Sequence, residues 1–253
     1  MTVPSGSADI PQELLADYRR AVAAQVAAIK ACADRLDQNP SDREALEFFR
    51  REVHKVRGSG GSYGFPDASE LAASMEETAK DWIAHADEVR MDRGAVARWF
   101  TDRLAEVVTP DPTESPSPPA GRQLEGEATV PEVICIEDDR SLAELLAYGL
   151  ASRGYRYATF GNGAEALEAL LAMNTGGRRP IVLLDVDLPG LDGFSLFGRL
   201  EAERPGVYRV VFTSVHSLEE EQMRALEAGA LDYLIKPLSL RVVLEKIRRW
   251  VGR

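Results

Sequence analysis

The sequence predicts an N-terminal all-α four-helix bundle followed by a C-terminal α/β domain, a doubly wound five-stranded parallel sheet. Three observations predict this. Apolar residues recur every three or four positions through the first half of the chain. A stretch rich in Pro, Ser and Glu then interrupts the pattern. Beyond it, short apolar runs alternate with helical segments five times, as in a sheet with helices on both faces.

The bundle is assigned to residues 10–108. Leu15, Tyr18, Val22, Val26, Ile29, Ala33 and Leu36 mark the first helix, and Leu46, Phe49, Val53, Val56, Gly60 and Tyr63 the second. Leu71, Met75, Thr78 and Trp82 mark the third, and Val96, Trp99, Phe100, Leu104 and Val107 the fourth. Asn39-Pro40, Gly64-Phe65-Pro66 and the polar stretch near Arg90 are the breaks, with Asp42 and Asp67 as candidate N-caps. Short connections between amphipathic helices favour an antiparallel bundle.

Residues 109–131 carry almost no apolar side chains, so they cannot bury enough surface to offset their ordering entropy and read as a flexible linker. The α/β domain is assigned to residues 132–253. Its strand candidates are Val133–Ile136, Tyr155–Phe160, Ile181–Leu184, Val210–Phe212 and Tyr233–Ile235. Its helices start near Ser141, Ala164, Phe194, Glu219 and Leu240.

Composition narrows the function. The 253 residues hold 41 acidic against 30 basic side chains, a net charge of −11, which argues against a nucleic-acid partner. The two cysteines, Cys32 and Cys135, sit in apolar patterns with no metal-binding spacing and read as small buried hydrophobes. No apolar run approaches the roughly 18 residues a membrane span requires, and the first residues lack the apolar core of a signal peptide. The expectation is a cytoplasmic protein without a membrane partner.

In a doubly wound sheet, chemistry belongs at the carboxyl ends of the strands. Here the first strand ends in Glu137-Asp138-Asp139 and the third in Asp185-Val186-Asp187. Crowded carboxylates raise one another's pKa, and a hard divalent cation such as Mg²⁺ would relieve them. The same residues could instead cap the following helices, as Asp139 ahead of Ser141 would. The fourth strand ends in Thr213-Ser214 and the fifth in Lys236-Pro237. Carboxylates, a hydroxyl and a lysine at one rim suit phosphoryl transfer.

The motifs IEDD, LLDVDLPGLDG, FTS and DYLIKP resemble those of response-regulator receiver domains over residues 132–251. The resemblance implies a flavodoxin-like sheet of order 2-1-3-4-5. It implies that Asp185 is the phosphoacceptor. It places Mg²⁺ on Glu137, Asp138, Asp185 and the backbone carbonyl of Asp187. Lys236 and Thr213 would bind phosphoryl oxygens, and Tyr233 would be the aromatic that moves inward with Thr213. Glu137 departs from the aspartate more common in the family and would hold the metal through water. Asp187 is a second departure, expected to alter the lifetime of the aspartyl phosphate.

In the bundle, His54 lies about 130° from the centre of its helix's apolar face and should be exposed. Arg50 and Arg57 flank it at i−4 and i+3, with Gly58 and Gly61 at i+4 and i+7. A helical glycine costs about 1 kcal/mol relative to alanine. Such glycines either give another protein access to the imidazole, with the arginines stabilising its phosphate, or mark a frayed helix end. HKVRGSGGSYG resembles the histidine-phosphotransfer (HPt) signature, which implies that His54 is a second phosphoacceptor. His85 and His216 match no motif and read as surface histidines.

Together the two resemblances imply a two-component phosphorelay protein, a phosphoryl-transfer module rather than a turnover enzyme, without an ATP-dependent kinase domain. Its partners would be a sensor histidine kinase or other receiver domains, and the receiver could support a homodimer. Two alternatives are the front of a longer regulator with an output domain such as a diguanylate cyclase, and a phosphorylation-controlled dimerisation module.

Overall fold

The computed structural model describes residues 12–89, 91–108 and 130–252. It divides into two units, Met1–Ser115 and Pro116–Arg253. The linker expected over 109–131 falls almost wholly outside the described residues.

The first unit holds four long helices, α1 (Gln12–Gln38), α2 (Arg43–Gly60), α3 (Pro66–Ala84) and α4 (Arg93–Val108), with one 3₁₀ turn at Gly61–Tyr63. Ile29, Ala33, Leu36, Leu46, Phe49, Val53, Val56, Met75 and Leu104 have no exposed surface. Phe49 is the hub, stacked on Trp82 at 5.7 Å and meeting Phe100 edge-on at 6.0 Å. The expected stripe differs at its end, where Val108 rather than Val107 is fully buried.

Asp42 caps α2, accepting from the Ala45 amide at 3.0 Å. Asp67 does not cap α3. Pro66 already occupies the first helical turn behind Phe65, so Asp67 lies inside the helix, where its charge favours the positive end of the helix dipole.

The second unit runs β1 (Val133–Ile136), α5 (Arg140–Ser152), β2 (Tyr157–Phe160), α6 (Gly163–Ala172), β3 (Ile181–Asp185), α7 (Gly193–Glu203), β4 (Arg209–Ser214), α8 (Glu219–Glu227), β5 (Asp232–Ile235) and α9 (Leu240–Val251). All strand pairs are parallel, in the order β2-β1-β3-β4-β5. β1 and β3 are buried along their whole length, as strands covered on both faces must be. β2 begins at Tyr157 rather than Tyr155, because Gly154 (φ 67°) turns the chain there.

Register sets the site. Ile136 pairs with Leu184, Asp185 with Thr213, and Ser214 with Ile235. Glu137, Asp185, Thr213 and Lys236 therefore come level at one edge of the sheet. Cys32 and Cys135 are free and buried, one in each unit. Burial pushes the Cys32 thiol up to about 11 and the Cys135 thiol up to about 12.

Candidate phosphoacceptor sites

At the carboxyl edge of the sheet, Lys236 Nζ donates to Glu137 Oε1 and Asp185 Oδ2, both at 2.7 Å. Both carboxylates are only 3% exposed. Carboxylate oxygens of Glu137, Asp138 and Asp185 lie within 4.8 Å of one another. Burial, reinforced by the nearby Asp185 charge and opposed by Lys236, pushes Glu137 up to about 9. Burial and Asp185 also raise Asp138. The attraction of both carboxylates outweighs burial and holds Lys236 above its usual value. One ammonium facing three carboxylates leaves negative charge in excess. This hard oxygen donor set fits a cation of the Mg²⁺ type.

Asp139, the fourth carboxylate of the sequence cluster, caps α5 by accepting from the Ser141 and Leu142 amides at 2.8 and 3.2 Å. The capping alternative thus holds for Asp139, while Glu137 and Asp138 join Asp185. The Asp187 amide donates to Asp185 Oδ1 at 3.2 Å, and its carboxylate turns to His216 Nε2 at 3.3 Å. Thr213 and Ser214 are buried. Tyr233 is 8% exposed, its hydroxyl donating to the His216 carbonyl at 3.3 Å.

Gly193 was not singled out by the sequence. A Cβ there would overlap the Asp185 carbonyl oxygen, and its amide donates to the Val186 carbonyl at 3.0 Å. With Asp192 capping α7, this glycine seats the helix directly against the acceptor's backbone. The DG dipeptide ahead of the apolar run was the available signal.

In the helical unit the His54 side chain is 65% exposed, as its helical phase required. Its Nδ1 lies 3.1 Å from Glu76 Oε1 on α3. Lys80 approaches the same Oε1 at 3.8 Å, and the other Glu76 oxygen accepts from Arg57 at 2.9 Å. Burial alone would raise the Glu76 carboxyl, but hydrogen bonds from Arg57 and His54 outweigh it and hold it below its usual value. An ionised carboxylate only accepts, so the imidazole donates from Nδ1, and in the neutral ring this leaves the lone pair on Nε2.

Of the two arginines, Arg57 donates to Glu76, the carboxylate that His54 also meets, and Arg50 donates to Glu47 at 3.2 Å. The glycines separate into two kinds. A Cβ on Gly60 would press on Phe65 and Ser69, and Gly64 has φ 80°. Gly58 and Gly61 face open space, so nothing in their own fold requires glycine there.

Among the described residues, no helix is long and apolar enough to cross a membrane.

A parallel sheet of this order, with carboxylates, a hydroxyl and a lysine at one edge, defines the class of receiver domains. The response regulator receiver domain family matches residues 133–248, and the Hpt domain family matches residues 13–108. The two matches place an Hpt domain and a receiver domain in one chain.

Transcriptional regulatory protein PrrA of Mycobacterium tuberculosis is 34% identical over 125 residues, 49% of this chain and 52% of that protein. AruR of Pseudomonas aeruginosa, also a transcriptional regulatory protein, is 38% identical over 128 residues, 50% of this chain and 51% of its own. The chain thus spans about half the length of these curated relatives. Among solved structures, a sensor histidine kinase receiver domain from Pseudomonas aeruginosa, described with magnesium in its active-site cleft, is 26% identical. It covers 49% of this chain and 100% of its own, with a TM-score of 0.42.

Proposed function

We propose that this protein carries phosphoryl groups on His54 and Asp185, exchanging them with a sensor histidine kinase or other receiver domains in the cytoplasm. The observation that carries the reading is Lys236 held between Glu137 and Asp185, with Asp138 beside them. A carboxylate oxygen of Asp185 attacks the phosphorus of a partner's phosphohistidine as the phosphorus–nitrogen bond breaks. Lys236 and Thr213 each take a phosphoryl oxygen, and Tyr233 follows Thr213. Glu137, Asp138, Asp185 and the Asp187 carbonyl would hold Mg²⁺, which when bound supplies neutralising charge to the phosphoryl oxygens.

His54 acts through Nε2. Its lone pair attacks an aspartyl phosphate on a partner receiver, and the phosphorus–carboxylate bond breaks. Positive charge develops on the ring, and Glu76 lies against Nδ1 to stabilise it. Gly58 and Gly61, four and seven residues on from His54, leave open space for a partner's site.

The test is intact mass after incubation with Mg²⁺ and acetyl phosphate. Wild type should gain one phosphoryl group and Asp185→Asn none; wild type without label, or label that survives in Asp185→Asn, overturns the receiver reading. Retained label in His54→Gln places it on Asp185.

A second reading has one observation behind it. Leu218, Met223, Leu226, Leu231, Ile235 and Val242 are exposed on α8, β5, α9 and their connections. Apolar groups grouped in this way favour a phosphorylation-controlled homodimer, and sizing with and without a phosphoryl mimic tests it.

A further inference from the structure

His216 looks unremarkable in the sequence, yet it joins three elements at the mouth of the Asp185 site. Its ring Nε2 lies 3.3 Å from the Asp187 carboxylate in the loop after β3. Its amide donates to the buried Ser214 hydroxyl at 3.0 Å, anchoring it to the end of β4. Its carbonyl lies 3.3 Å from the Tyr233 hydroxyl of β5, which is also 3.4 Å from Glu221 on α8. The other end of the connection is the acceptor itself, because the Asp187 amide donates to Asp185 Oδ1 at 3.2 Å.

We propose that His216 is a positioning residue, a strap that holds Asp187 against the Asp185 site and lengthens the lifetime of the aspartyl phosphate. This rests on Asp185 being the phosphoacceptor. Loss of the phosphoryl group to solvent requires a water oxygen to bond phosphorus as the bond to the Asp185 oxygen breaks. The carboxylate is restored, and inorganic phosphate and a proton leave. With the strap closed, the Asp187 carboxylate is engaged by the imidazole and its amide is held on the acceptor carboxylate. With the strap open, that carboxylate is free to orient water, and the loop is free to admit it. Both consequences shorten the lifetime.

His216 and Asp187 side chains are each about half exposed, 47% and 51%, so the strap is a weak one. Its loss should accelerate decay by about fivefold, equivalent to about 1 kcal/mol at 1.36 kcal/mol per tenfold.

The experiment loads the full chain with acetyl phosphate and Mg²⁺, removes the donor and follows intact mass with time. The label on His216→Ala should decay about fivefold faster than that on wild type. His216→Gln, which keeps a donor, should return toward wild type. In an Asp187→Ala background, His216→Ala should have no further effect. If wild type takes no label on Asp185, the phosphoacceptor reading has failed and the strap with it. If wild type takes label and His216→Ala decays at the same rate, the strap alone is overturned. Equal acceleration in His216→Ala and His216→Gln, or full acceleration in the Asp187→Ala background, also overturns it.

Discussion

Glu76 on α3 meets His54 on α2 at 3.1 Å, and it does so from a buried position, its side chain 4% exposed against 65% for the histidine. An exposed nucleophile is thus oriented from beneath by a carboxylate that solvent scarcely reaches. Glu76→Gln should leave the helical fold intact by circular dichroism. It should slow phosphoryl transfer to His54 by about tenfold, because an amide, which donates as well as accepts, fixes the Nδ1 proton less firmly and carries no charge to offset that of the ring. Imidazole nitrogen chemical shifts check the cause. An unchanged proportion of the Nδ1–H tautomer in Glu76→Gln would sink it.

The same carboxylate makes the bundle acid-sensitive. Its folded pKa lies below that of an unfolded glutamate, near 4.5, so the unfolded chain binds more protons as the pH falls. Its contribution is therefore full above about pH 5 and is lost as pH falls through the folded pKa. Urea melts at pH 6 and pH 3 should show a larger acid loss in wild type than in Glu76→Gln. Equal losses contradict the assignment.

Charge crowding at the sheet edge predicts an apparently paradoxical variant. Asp185→Asn removes one of the carboxylates around Lys236 and should raise the receiver's stability by about 1 kcal/mol without Mg²⁺, a few degrees in Tm. Adding Mg²⁺ should stabilise wild type more than the variant, since ligand binding to the folded state adds its own free energy. Thermal melts with and without the metal read both effects; a variant that melts below wild type in metal-free buffer refutes the crowding argument.

Two alanines at glycine should behave oppositely. Gly193→Ala drives a Cβ into the Asp185 carbonyl and should cost about 1–3 kcal/mol with poor labelling of Asp185. Gly58→Ala meets nothing within 4 Å and should stabilise α2 by up to about 1 kcal/mol while slowing exchange with a partner. Denaturant melts paired with transfer kinetics separate the two.

The sequence was most informative where one residue type sits at a strand or helix end. Glu137, Asp185, Thr213 and Lys236 could be placed together because each follows an apolar run, and parallel register brings such ends level. Helix starts at Glu219 and Leu240 were readable for the same reason. What escaped depends on side-chain reach between distant positions. Glu76 is 22 residues from His54, and a glutamate within a helix normally reads as surface. That Arg57, which flanks His54 at i+3, shares this carboxylate with the imidazole was equally out of reach. Asp67 was misplaced because Pro66 competes for the start of the helix and takes it.

The two cysteines acquire a use from their burial. Each unit encloses one thiol, Cys32 against the Ala45 carbonyl in the bundle and Cys135 in β1, a strand with neighbours on both sides. Neither reacts readily while its core is closed, both because solvent reagents cannot reach it and because little thiolate exists at neutral pH. Alkylation in mild denaturant, read by peptide mass, would therefore clock the opening of each half separately in an unmodified chain. The protein carries its own pair of unfolding reporters, one for the half bearing the histidine and one for the half bearing the aspartate.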